Sequence, residues 1–197
     1  MKNVKVKCLK AVGFALTVFA VGALFSSPAK AALTQAIDIK VSISATKSVA
    51  VNTTHYNFGA LTVNTSSVSA TAITVTNDSA ALVETYTLQG ANAASTGGGT
   101  TWNIAASTGN VDEYVLGAKF STARPANTDS AFTNDVLTTS AIVASAGTLG
   151  NTTLGESGAS VSPLAGSNTR SLWFRIITPL AVSDVTQRNA TLTLAIN

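Results

Sequence analysis

The chain has 197 residues, with 12 Lys and Arg against 9 Asp and Glu, one His, one Cys, and 11% charged against 46% hydrophobic residues. The length suits one domain, and so few charges, with abundant Ser, Thr, Ala, Val and Asn, exclude an ordinary helical cytosolic enzyme and point to a β-rich exported protein. A net charge of +3 would suit a nucleic-acid partner only if the cations clustered on the folded body.

They cluster at the N-terminus instead. Lys2, Lys5, Lys7 and Lys10 precede an apolar run over 11–25, and Ala29-Lys30-Ala31 supplies an A-x-A site. That is the layout of a secretory signal peptide, 1–31, cleaved after Ala31. The run falls short of the about 20 residues a bilayer span requires, so no membrane span is expected after cleavage. Cys8 stands before the apolar run, where a lipoprotein cysteine would follow it. Val18 stands where a type IV prepilin has Glu after the Gly13-Phe14 cleavage site. Five of the basic residues fall within 1–31, leaving seven, dispersed singly, against nine acidic ones. A nucleic-acid partner is therefore not expected. The segment 32–197 has no Cys, so packing alone must stabilise it, and its length suffices for one core.

Strict alternation follows. Ile37, Ile39, Val41 and Ile43 share one face of an extended segment, and Asp38, Lys40, Ser42 and Ser44 the other. Further strands are predicted at 48–52, 60–63, 68–76, 82–88, 101–105, 114–120, 172–177 and 190–196. Gly-, Asn- and Pro-rich turns such as Asn77-Asp78-Ser79 and Gly97-Gly98-Gly99 separate them. About eight or nine strands without helical alternation predict a single all-β domain over 32–197, a β-sandwich of two antiparallel sheets. The segment 131–167, poor in large apolar residues, reads as surface loop, with 141–144 as a candidate strand.

Candidate chemistry is sparse. His55 lies in a predicted turn with no nucleophile elbow elsewhere, and one His without Cys offers no zinc or copper site, so neither a metal nor any other cofactor is expected. The adjacent Asp112-Glu113 pair would point to opposite faces of a strand, and Glu84 would have to be brought to it by the fold. Asp129, Asn134 and Asp135 lie close together but without a calcium-loop pattern. These residues do not make an enzyme. Trp102, just beyond the Gly97 to Gly99 run, is the candidate glycan contact, although a core position suits both it and Trp173 better.

The elements at 36–44, Tyr56-Asn57-Phe58-Gly59 and Ile73-Thr74-Val75-Thr76-Asn77 resemble, in order and spacing, the archaic chaperone-usher pilin subunits of the spore-coat-U-like family, or a related secreted immunoglobulin-like surface protein. The resemblance implies an incomplete sandwich whose groove is filled by a neighbour's N-terminal strand, with Ile37, Ile39, Val41 and Ile43 as the donor-strand residues. It also implies self-association into an extracellular homopolymer and an assembly chaperone as partner. The family's disulfide is missing, since the places of its cysteines fall near Lys47 and Asn77, and Asp184-Val185-Thr186 replaces the Y-x-D-T element. The leading expectation is a filament, pilus or surface-layer subunit at the cell surface, and the alternative is a monomeric adhesin or carbohydrate-binding module. Whether the N-terminal strand docks in its own subunit or in a neighbour is open at this level.

Overall fold

A computed structural model describes residues 40–42, 46–79, 81–107, 110–144 and 168–196. The chain divides into two compact units, 1–42 and 43–197. Of the first, Lys40, Val41 and Ser42 are described; they belong to no strand, and Val41 is 78% exposed. The predicted signal segment 1–31, Ile37, Ile39 and Ile43 lie outside the described residues.

Among its described residues the second unit is all-β apart from one 3-10 turn, Asp129–Phe132. Its largest sheet contains β1 (Val49–Val51), β2 (Ser66–Val68), β3 (Ile73–Asn77), β6 (Asn103–Ile104), β7 (Glu113–Phe120) and β9 (Thr169–Ile177), in the order β1-β3-β9-β7-β6 with β2 also on β9. A second sheet is β11 (Leu192–Ile196), β4 (Tyr86–Gly90) and β8 (Ile142–Val143), in the order β11-β4-β8. β5 (Ala94–Ser95) and β10 (Arg188–Asn189) continue the β4 to β11 ladder in the same antiparallel sense. Pairing is antiparallel except between β6 and β7.

Alternation explains which side chains meet. Tyr114, Leu116, Ala118 and Phe120 of β7 face the same way as Leu172 and Phe174 of β9, and all are buried. They share one core with Tyr86 and Leu88 of β4, and the Tyr86 and Phe120 rings stack at 5.7 Å.

The strand predicted over 68–76 is broken. Val68 pairs with Arg175 and Ile73 with Leu172, so two more residues pass on this strand than on β9. Such an excess bulges the backbone outward and leaves ladder groups to be satisfied locally. Ser69 exchanges bonds with Phe174, the Arg124 guanidinium donates to the Val68 and Ser69 carbonyls, and the Ala70 N–H donates to the Tyr56 hydroxyl at 2.6 Å. The segment 60–63 is not a strand; it leads to Asn64, whose φ of 53° turns the chain into β2.

The reading of 131–167 as surface loop needs correction over 131–144, while 145–167 lies outside the described residues. Phe132, Leu137 and Ala144 are almost fully buried. Phe132 packs on the outer face of the large sheet, where Gly117 leaves room for it and Arg175 lies 5.8 Å over its ring. Asp135 pairs with Lys119 at 3.3 Å. The chain then hydrogen-bonds first to β7, through the Leu137 N–H to the Leu116 carbonyl, and next to β4, through the Gly90 N–H to the Thr138 carbonyl and the Ala144 N–H to the Tyr86 carbonyl. Two large buried side chains among small ones, Phe132 and Leu137, anchor this crossing from one sheet to the other, which composition averaged over the segment conceals.

Candidate functional site

The polar residues singled out in the sequence are not brought together. His55 is exposed in a turn closed by Thr53, whose hydroxyl donates to the His55 carbonyl and accepts from its N–H. Asp112, at φ 56°, is buried and accepts from the Ser183 N–H at 2.9 Å and from the Ser183 hydroxyl. Glu113 accepts from Asn110 at 2.6 Å. Glu84 lies at the other end of the core, beside the start of β1, where it accepts the Ser48 N–H at 3.1 Å. Asp129 and Asp135 each face a cation on a different strand, Arg175 and Lys119. Among the described residues no group of three or more metal-ligating side chains forms.

Both tryptophans hold structural positions. Trp102 is half-buried, its backbone bridges to Ala93, and its ring lies 6.5 Å from Tyr114 with the Arg188 guanidinium 5.2 Å over it. Trp173, expected in the core, lies on the outer face of β9 with Lys119 opposite and donates its indole N–H to the Ser121 carbonyl at 2.9 Å.

Arg188 belongs to a cluster that sequence reading missed. Asp184 accepts from Arg188 at 2.8 Å, from the Thr100 N–H at 2.6 Å, and from both the N–H and hydroxyl of Thr186. These donors, led by the Thr186 hydroxyl and the Arg188 guanidinium, hold its carboxyl well below the usual carboxylate range. The four-residue spacing of Asp184 and Arg188 was a visible signal, but only the fold adds Thr100. The cluster fixes the 95–100 turn against the 183–188 segment.

What the structure does assemble is a pair of strand edges. β11 bonds to β4 along one side, and among the described residues no strand pairs with its other side; β1 likewise pairs with β3 alone. The crossing at 135–144 joins the β7 side of the large sheet to the β8 side of the second. β1 and β11 are therefore the outer strands of the remaining side. Leu192, Leu194 and Ile196 of β11, with Val49 of β1, are half-buried against the core, and Val51 is 37% exposed. An edge with a continuous apolar row on its inward face offers main-chain groups and side-chain contacts to an added strand. Phe58 of the Tyr56-Asn57-Phe58-Gly59 element packs against the same core, and Gly59, at φ 74°, closes a turn on the Asn57 side chain at 2.8 Å.

Comparison with protein-family models, with curated proteins and with solved structures returns no match.

Proposed function

We propose that this chain is a structural subunit of an extracellular filament, pilus or surface layer, exported through a cleaved signal peptide and assembled by strand addition. In this reading the fold is an incomplete immunoglobulin-like sandwich. Named in chain order, β1 is A, β2 and β3 together are B, β4 is C, β7 is D, β9 is E and β11 is F. The observed orders β1-β3-β9-β7-β6 and β11-β4-β8 then contain A-B-E-D and F-C, with β6 and β8 as additions at the far edges, in keeping with an immunoglobulin arrangement without its G strand. The observation that carries the proposal is the β11 edge, with Leu192, Leu194 and Ile196 half-buried along it. Ahead of β1 the sequence holds a segment of matching alternation, Ile37, Ile39, Val41 and Ile43. That segment of one copy lies along β11 of another, its four β-branched side chains completing the apolar layer.

An edge of this kind also pairs indiscriminately until it is covered, which is the work an assembly chaperone would do before export is complete. Electron microscopy of the secreted protein tests the proposal: filaments or a regular layer are expected. Uniformly monomeric secreted protein would refute assembly and favour the monomeric adhesin or carbohydrate-binding module.

A further inference from the structure

Positions 84, 86 and 88 alternate inward and are fully buried, and at the first of them, ahead of Tyr86 and Leu88, the chain carries the carboxylate of Glu84. A carboxylate taken out of water is costly unless its oxygens are bonded. Glu84 Oε1 accepts the Ser48 N–H at 3.1 Å, but Oε2 has no hydrogen-bond partner among the described residues, and neither has the Tyr86 hydroxyl. Burial, and after it the nearby charge of Glu84, pushes the Tyr86 phenol well above its ordinary range. A leucine would suit this position better by packing alone. What a leucine could not do is hold the backbone of Ser48.

Ser48 is gripped on both of its backbone groups. Its carbonyl accepts the Asp78 N–H at 3.2 Å, and the next residue, Val49, pairs with Asn77. The loop that supplies these partners is itself tied down, because buried Asn77 accepts the Ser79 N–H at 3.0 Å and the Ser79 hydroxyl, and donates to the Leu82 carbonyl at 2.8 Å. β1 has only three residues, Val49–Val51, and so short an edge strand frays unless its ends are fixed. At its far end Asn52 exchanges bonds with Thr74. At its start the fixing falls to Ser48, and residues 45–47 alone separate Ser48 from the alternating segment 36–44.

We propose that Glu84 is a positioning residue for assembly, clamping Ser48 so that the segment 36–44 leaves the body from a fixed root. The inference rests on the strand-addition reading and adds to it a residue that belongs neither to the strand given nor to the edge that receives it. The clamp acts twice. A fixed root lowers the ordering cost each time the segment is seated in another copy, and a fixed start to β1 holds in place one of the two outer strands that flank the open side. A carboxylate serves better than a neutral acceptor, because a charge-assisted bond in a water-excluded site is the stronger one.

Three variants of the full chain test the clamp. Glu84→Gln keeps an acceptor opposite Ser48 and is expected to form filaments. Glu84→Leu removes the acceptor but suits an apolar position, and Ser48 is exposed, so its freed N–H turns to water. Its urea midpoint should be no lower than that of the wild type. Hydrogen exchange over 46–51 should nevertheless quicken by roughly tenfold to a hundredfold, the equivalent of one hydrogen bond to a charged group, and filaments should become sparse or vanish from electron micrographs. Ser48→Pro withdraws the donor from outside the core, at the start of an edge strand where Pro is tolerated, and should lose filaments too; it decides the matter if Glu84→Leu lowers the midpoint. Wild-type-like filaments from Glu84→Leu or from Ser48→Pro would overturn the clamp while leaving strand addition intact, and so would loss of filaments in Glu84→Gln with slow exchange retained. Absence of wild-type filaments would overturn the strand-addition reading and the clamp together.

Discussion

The strand-addition reading makes its sharpest demand on Val41. In that reading alternation puts Val41 on the face that would meet the half-buried row of Leu192, Leu194 and Ile196, so Val41→Asp removes a valine that assembly would bury, worth about 2 kcal/mol. It also leaves a carboxylate in an apolar layer with no cation opposite, worth about 3–5 kcal/mol. Together these lower the association constant at each joint by roughly three and a half to five powers of ten, at 1.4 kcal/mol per decade. Every joint uses the same residue, so the losses recur along the polymer and filaments should vanish from electron micrographs. Ser42→Asp is the control, because residue 42 falls on the opposite face and its carboxylate stays in water; filaments of normal length are expected. Val41→Asp filaments indistinguishable from wild type would refute the reasoning. A stable wild-type monomer with 36–44 protected from hydrogen exchange would show instead that the strand completes its own subunit.

Three further outcomes test the fold that presents the edge. Phe132→Ala empties a site between Gly117 and Arg175 and should lower unfolding stability by about 3–5 kcal/mol in urea titrations; an unchanged midpoint would mean that 127–135 does not cover the sheet. A methyl group at Gly99 would sit 2.6 Å from Asp184 Oδ2 and closer still to Asp184 Oδ1 and Thr186 Oγ1, so Gly99→Ala should speed hydrogen exchange across 95–100 and 184–188 while Gly98→Ala, where nothing lies near the added atom, costs only its backbone strain. Burial pushes the Tyr114 phenol up to about 12, while its hydroxyl donates to the Ala91 carbonyl at 2.5 Å. A raised folded value favours the protonated form, so its contribution is complete below about pH 10 and is lost as pH rises from there towards 12. Ultraviolet titration should therefore find Tyr114 protonated at pH 10.5, and ionisation at an exposed tyrosine's pH would contradict its burial.

What the sequence made legible was local. Period-two alternation located β7 and β9 within a few residues because each presents one face to a single core, as Tyr114, Leu116 and Phe120 do against Leu172 and Phe174. The break between β2 and β3 was not legible. Ser69 to Ala72 have ordinary strand composition, and the bulge depends on Tyr56 and Arg124 arriving from elsewhere to satisfy it. Phe132 and Arg175 escaped for a similar reason, since a covered outer face turns residues of the solvent parity into buried ones. The candidate site is the extreme case. Leu192, Leu194 and Ile196 read as a half-buried strand whether or not another strand lies beside them, because alternation reports the face that points to the core and carries no information about edges. An open edge is a property of strand order, and strand order is fixed by where β9 and the 135–144 crossing run. The alternating segment at 36–44 and the edge that would receive it are thus each half of one argument. The first is written in residue order, and the second exists only once the chain has folded.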